Sequence, residues 1–303
     1  MSGGEGKAQT DLADIADPKI RSVLKSLGQT IIQQAAGSSK ISAEVIKLPL
    51  WPEPKRGAPN DVLRSALFAA IQGKTRRYLD RELLAVHDGV KIKFTGKQLD
   101  QADLDVWEQA VHLARQHPLG NVCQFTAHAF LKALGRSTGK NDYAWLEGAF
   151  TRLTACAVEI VHKRKTYFGS LIEGGKRDDI TGLYIVRLNP DLIKLYASGF
   201  TIVDWEQRQT LRGKPLALWL HGYYASHAKP VPVKIETLHQ WSGSRNPQKA
   251  SFRRQLLKAF SDLCAVGAVD HYEVKEGLVY VERTPTESQK RHLMRPKLSK
   301  RHK

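Results

Sequence analysis

Cysteine is scarce: the 303 residues hold three, Cys123, Cys156 and Cys264, far apart and never in a C-x-x-C pair. An odd, dispersed set supports neither a disulfide framework nor a thiolate zinc centre, and fits small buried thiols in a reducing compartment. Long apolar runs are missing too, since no segment approaches the ~18 residues a membrane span needs. Residues 1–30 carry neither the apolar run nor the small-residue cleavage pattern of a secretory leader, so a cytoplasmic protein without membrane contact is expected. Acidic residues are in deficit, 30 against 47 Lys and Arg, which leaves a formal charge of +17. Such a surplus draws polyanions by long-range attraction and counterion release, and makes nucleic acid the leading partner class.

What is present is enough apolar material, 42%, to build substantial cores, and a length that suggests two domains. Residues 20–32 place Ile20, Val23, Leu24, Leu27, Ile31 and Ile32 at helical spacing before Gly37, Ser38 and Ser39 break the pattern. Leu48 to Asn60 carries four prolines and reads as a linker, so residues 1–58 form an extension of helix plus Pro-rich linker. In residues 83–94 Val90, Ile92 and Phe94 alternate with Lys91 and Lys93, and Asp88-Gly89 is a two-residue turn signal, which predicts a hairpin. Asp100 then precedes an apolar stripe, Leu104, Trp107, Val111 and Ala114, that ends at His117-Pro118.

A strand at 122–125, a helix at 127–134, the turn GRSTGKN and a helix from Asp142 to Ala155 make a helix-turn-helix. Residues 156–188 then alternate as strands around two basic loops, the layout of a winged helix. Asn189-Pro190 starts a further helix, and Gly199 closes it before a linking strand. The order recurs: a helix with Leu216, Trp219, Leu220 and Tyr223 inward, the strand VPVKI, the helix ETLHQW, a Gly-Ser turn, a long helix from Asn246-Pro247, and a hairpin turning at Glu276-Gly277. The expected fold is therefore α+β, two tandem winged-helix domains at 59–205 and 206–284. A basic tail, 285–303, is expected to be disordered without DNA.

The segment RNPQKASFRRQLLK, 245–258, is the strongest chemical signal. Arg245, Lys249, Arg253 and Arg254, with Ser244 before them, crowd the start and outer face of a helix whose other face is apolar. A major groove admits one helix, and arginine there donates to guanine while its neighbours hold phosphates. In the first domain Arg136, Ser137, Lys140, Asn141, Tyr143 and Arg152 offer a weaker set on the corresponding turn and helix. Lys163, Arg164 and Lys165, with Lys176 and Arg177, fall on the expected wing loops and would reach backbone or minor groove. For 245–258 and the wing loops a plain solvated basic surface is the competing reading, and for the 136–152 group a plain helix-connecting turn.

Signals for enzymatic chemistry are poor. GRSTGKN has three residues between its glycines where a phosphate-binding loop has four, and Asn141 stands where Ser or Thr should meet magnesium. No two of the eleven histidines lie one residue apart, as a metal-dependent DNA-nicking site needs. Asp103 and Asp105 are acidic residues at a helix start, where the dipole alone accounts for them. No catalytic residue, metal or cofactor is expected. A winged-helix transcription regulator and a primase or nicking enzyme stand as rival functions.

PNDVLRSALF (59–68), VKIKFTG (90–96), the LGRSTGKNDY turn, LTACAVEI, KIETLHQWSGS (234–244) and GAVDHYEV follow one another in an order and spacing that resembles the TrfA-type initiators of broad-host-range plasmids. That resemblance implies binding of repeated double-stranded origin sites (iterons), origin opening, recruitment of host DnaA and the DnaB helicase, and a possible monomer-dimer equilibrium. It also implies a short sliding-clamp motif before the first domain. The matching positions here are Lys47-Leu48-Pro49-Leu50-Trp51, with Leu48, Leu50 and Trp51 as apolar anchors and Lys47 in place of glutamine.

Overall fold

The computed structural model describes residues 48–72, 76–86, 89–117, 120–162 and 165–294. The helix expected at residues 20–32 lies outside them, as do Lys163 and Arg164. The described residues all fall within one compact unit.

Proline density does not make the 48–60 segment a linker. After Pro49, Pro52 and Pro54 the chain enters strand β1 (Lys55–Pro59), which pairs antiparallel with β11 (Phe200–Asp204). Proline is tolerated because β1 belongs to a two-stranded sheet and Pro59 is its last residue. The domain boundary expected at residue 58 thus falls inside a strand. A short helix α1 (Asn60–Leu63) and β2 (Phe68–Ala69) follow. Strands β3 (Tyr78–Leu84) and β4 (Lys91–Lys97) make the expected hairpin, but Leu84 pairs with Ile92, so the connection is longer than a two-residue turn.

β5 (Leu99–Asp100) leads into α2 (Gln101–Ala114). Asp100 caps this helix through the amides of Ala102 and Asp103, and Asp103 returns a bond to the Asp100 amide, a reciprocal capping box. The helix is buried nearly all round, polar Glu108, Gln109 and His112 included, because other elements cover every side of it.

From α2 onward one order of elements occurs twice. In the first copy α2, β6 (Val122–Thr126), α3 (Ala127–Ala133) and α4 (Lys140–Thr154) precede a hairpin of β9 (Ile172–Arg177) and β10 (Leu183–Leu188), and the sheet runs β6-β10-β9. Between α4 and β9 an extra hairpin, β7 (Ala157–His162) and β8 (Lys165–Gly169), joins the other sheet instead, in the order β3-β4-β7-β8. Lys165, the first residue of β8, is therefore not on the wing of the three-stranded sheet, as expected, but in this separate sheet.

After α5 (Pro190–Ala197), β11 and α6 (Trp205–Thr210), the second copy consists of α7 (Pro215–Ala225), β12 (Val233–Lys234), α8 (Ile235–Trp241), α9 (Lys249–Ala265), β13 (His271–Lys275) and β14 (Leu278–Glu282). Its sheet order, β12-β14-β13, repeats the first. Glu276 and Gly277 both have positive φ, +51° and +78°, the geometry of a two-residue hairpin turn. The expected disordered tail begins instead as α10 (Glu287–Met294), fastened where Gln289 Nε2 donates to the Ala225 carbonyl at 2.8 Å.

Two hydrophobic cores result, one gathered around α2 and one around α7 and α9. Arg208 on α6, 1% exposed, joins them: it pairs with Asp105 and Glu108 of α2 and donates to the Gln101 side chain at 3.0 Å and the Leu218 carbonyl at 3.3 Å. Trp219 adds a bond from Nε1 to the Ser65 carbonyl at 2.9 Å.

Candidate nucleic-acid interface

The second copy presents its charges outward. Gly243 has φ +61° in the turn after α8, and a Cβ there would meet Ala69 Cβ at 2.9 Å, so the turn needs glycine. Asn246 Oδ1 accepts from the Gln248 amide at 3.1 Å and its Nδ2 donates to Ser251 Oγ at 2.9 Å. This local turn occupies Asn246 and Pro247, and α9 starts at Lys249 rather than at Asn246-Pro247. Phe252, Leu256, Ala259, Phe260 and Leu263 face the core, matching the stripe read from the sequence.

At 100° per residue, Arg254 stands opposite that stripe, Arg253 lies toward one flank and Lys258 toward the other, while Lys249 falls on the stripe's side but is the first residue of the helix. All four are exposed and none makes an ion pair among the described residues. No acidic residue occupies the first turn of α9. Arg245 is exposed in the preceding turn and Ser244 is half-buried. Lys258 is not among the residues singled out from sequence, although it ends the same 245–258 segment and lies one helical turn beyond Arg254.

In the first copy the corresponding cations are largely engaged by neighbours. The Arg136 guanidinium lies 3.5 Å from the Trp145 ring centre and 3.3 Å from Asp142, and its burial lowers its pKa. Ser137 donates to the same Asp142 carboxylate. Arg177 pairs with Glu147 of α4 and with Asp179, and the Tyr184 hydroxyl and Asp179 hold it above the ordinary guanidinium value. Lys140, Asn141 and Lys176 are exposed, while Tyr143 is half-buried against the core.

Arg152 corrects the expectation. Its guanidinium turns inward to Asp103, 0% exposed, with Nη2 donating to Oδ1 at 2.7 Å. Asp103 also receives Arg76 at 2.6 Å, so Arg152 completes a buried charge cluster instead of facing a ligand. Burial raises the neighbouring Asp100 to about 6. Asp105 is likewise tied to Arg208. Among the described residues no group of three or more His, Cys, Asp or Glu is placed to hold a metal ion. No helix among them is long and apolar enough to cross a membrane.

The Leu48–Trp51 segment also departs from expectation. Leu48 and Trp51 are 5% and 4% exposed, and only Leu50, at 82%, faces solvent. Trp51 Nε1 donates to His112 Nδ1 at 3.0 Å, and its ring stacks on Tyr196 with centroids 6.2 Å apart. His112 Nε2 meets Glu53 at 2.8 Å, and Arg115 meets it at 3.0 Å. These bonds and charges hold Glu53 down at about 2, while burial lowers His112 to about 4. Two of the three anchors expected for a sliding clamp are thus taken up by the protein's own core. An apolar anchor in a short motif looks the same in sequence whether its pocket is internal or belongs to a partner.

Comparison with known proteins fits this architecture. The Escherichia coli plasmid replication initiator protein TrfA is 29% identical over 290 residues, covering 91% of this chain and 72% of its own. A crystal structure of domains 2 and 3 of RctB superposes with a TM-score of 0.53 at 13% identity, over 76% of this chain and 99% of that one, a likeness of fold. Pi initiator protein in complex with iteron DNA gives a TM-score of 0.42 at 14% identity, over 62% and 94%. The TrfA protein family model matches residues 7–283, and the chain belongs to that family.

Proposed function

We propose that the protein is a plasmid replication initiator whose two repeated units are winged helices, with α9 as the principal helix reading repeated double-stranded sites at the origin. The observation that carries this is the start and outer surface of α9, where Lys249, Arg253, Arg254 and Lys258 stand exposed without ion-pair partners among the described residues. Helices of this size fit a major groove, where arginine and lysine discriminate guanine and hold flanking phosphates. Membership of the TrfA family supports the initiator role over a general DNA-binding one. In the first unit α4 and the β9–β10 hairpin supply fewer unengaged cations, and their part is to position the protein on backbone rather than to read bases.

Opening of the adjacent duplex and recruitment of host DnaA and DnaB helicase follow from the family reading. Nuclease footprinting over the DNA flanking the gene is the direct test. Regularly spaced protected repeats are expected. One isolated protected site over the gene's own promoter would favour a transcription regulator, and an absence of protection would remove the DNA-binding reading altogether.

A further inference from the structure

Beside α9 lies a groove of about 750 Å³. One wall is the flank of α9 carrying Ser251, Gln255, Lys258 and Asp262, and the other is the first turn of α7 from Lys214 to Ala217. Its position follows from the helix geometry: these α9 residues recur at intervals of four, three and four, so they form a single stripe next to the exposed face centred on Arg254. The lining includes exposed Arg245 and Lys258 and also buried Ala217 and Ala259. Within it Lys214 Nζ bonds Asp262 Oδ1 at 2.8 Å, across a pair whose side chains are 43% and 20% exposed. Lys258 makes no such pair among the described residues.

A helix lying in a major groove has a sugar-phosphate strand along each side. Arg253 serves one side of α9, and the groove occupies the other. We propose that this groove takes the second sugar-phosphate strand, with Lys214 and Lys258 as its phosphate contacts and Asp262 as an internal counter-charge that phosphate displaces from Lys214. The inference rests on α9 being the reading helix. Asp262 therefore acts as a brake: in free protein it satisfies Lys214, and on binding it stands near an incoming anion, lowering affinity for every sequence alike. Such a brake leaves the preference between sequences unchanged and sets how tightly any duplex is held on the backbone.

The test uses the full chain, a duplex carrying a footprinted repeat, and the same duplex scrambled, with affinity read by fluorescence anisotropy across a salt series. Changing both Lys214 and Lys258 to Ala should weaken binding to both duplexes about equally, and should reduce the slope of log affinity against log salt by about 1.8, at ~0.9 for each phosphate no longer neutralised. Asp262→Asn keeps the shape of the side chain and should tighten both duplexes by ~3- to 10-fold. Arg253→Ala should instead narrow the preference for the repeat over the scrambled sequence.

An unaltered salt slope in the lysine variant, or unchanged or weaker binding by Asp262→Asn with thermal stability retained, overturns the groove. If Arg253→Ala still narrows the preference in that case, α9 remains the reading helix. If Arg253→Ala leaves the preference intact, the helix assignment itself falls.

Discussion

Replacing Trp51 with alanine separates an internal strap from a partner motif. The indole is 4% exposed, stacks on Tyr196 at an interplanar angle of 11°, and has the Arg115 guanidinium 5.7 Å from its ring centre. Gly57 is shaped around it: a Cβ at that position would meet the ring at 2.7 Å. Truncating a buried Trp to Ala costs about 3 to 5 kcal/mol in lost transfer energy and cavity. His112 Nδ1 also loses its donor, worth about 1 kcal/mol more. Against a domain stability of about 5 to 15 kcal/mol this is a large fraction. Leu50→Ala, at an 82% exposed position in the same segment, should cost less than about 0.5 kcal/mol. Equilibrium urea unfolding of both variants and wild type measures the difference, with Trp51→Phe falling between them. Equal, small effects from Trp51→Ala and Leu50→Ala would refute the strap and return the segment to an exposed role.

Three further perturbations follow from the same contacts. Arg253→Ala should leave unfolding unchanged and weaken specific duplex binding by about 1 to 3 kcal/mol, read from anisotropy titrations; unchanged affinity would take α9 out of recognition. Arg152→Ala should destabilise the fold by about 1 to 3 kcal/mol through loss of a charged bond to buried Asp103, yet leave the salt slope of DNA binding as it was; a shallower slope would place Arg152 on phosphate after all. Burial raises Glu108 from 4.5 to about 7 despite Arg208 beside it, so the folded state keeps a proton that the unfolded chain releases. Wild-type stability should therefore fall relative to Glu108→Gln, by about 2 to 3 kcal/mol, as pH rises from 4.5 to 7, then run parallel. A pH-independent difference would show that Glu108 ionises normally in the fold.

Local signals carried much of the fold. Alternation, turn dipeptides and caps at Asp100, Asn189 and Glu276-Gly277 were enough to order the elements of both copies, because those preferences act over a few residues. What they do not carry is pairing at a distance. Arg152 sits where a helical wheel leaves it available, and only the approach of Asp103, 49 residues earlier, turns it inward. The β7–β8 hairpin looks like a wing in sequence, but its place is set by β7 pairing with β4, from Lys91–Val161 to Thr95–Ala157.

Prolines at 49, 52, 54 and 59 imitate a linker because the strand they lead into has a single partner, β11, distant in sequence, with Asp204 lying 149 residues beyond Lys55. The cationic surface of α9 was legible for a simple reason. Its apolar stripe and its charges lie on one continuous segment, so the helical period alone sorts inside from outside. Lys214, which comes beside Lys258 of α9 only through the packing of α7, has no such signal.

The most direct test of initiation through α9 is maintenance of a plasmid that carries the origin region but no initiator gene, with the protein supplied from elsewhere in the cell. Wild type should maintain it, and a variant with Lys249, Arg253 and Arg254 changed to Ala, folded and present at the same level, should lose it. Maintenance by that variant at the wild-type rate, or failure of wild type to maintain the plasmid at all, would contradict the account.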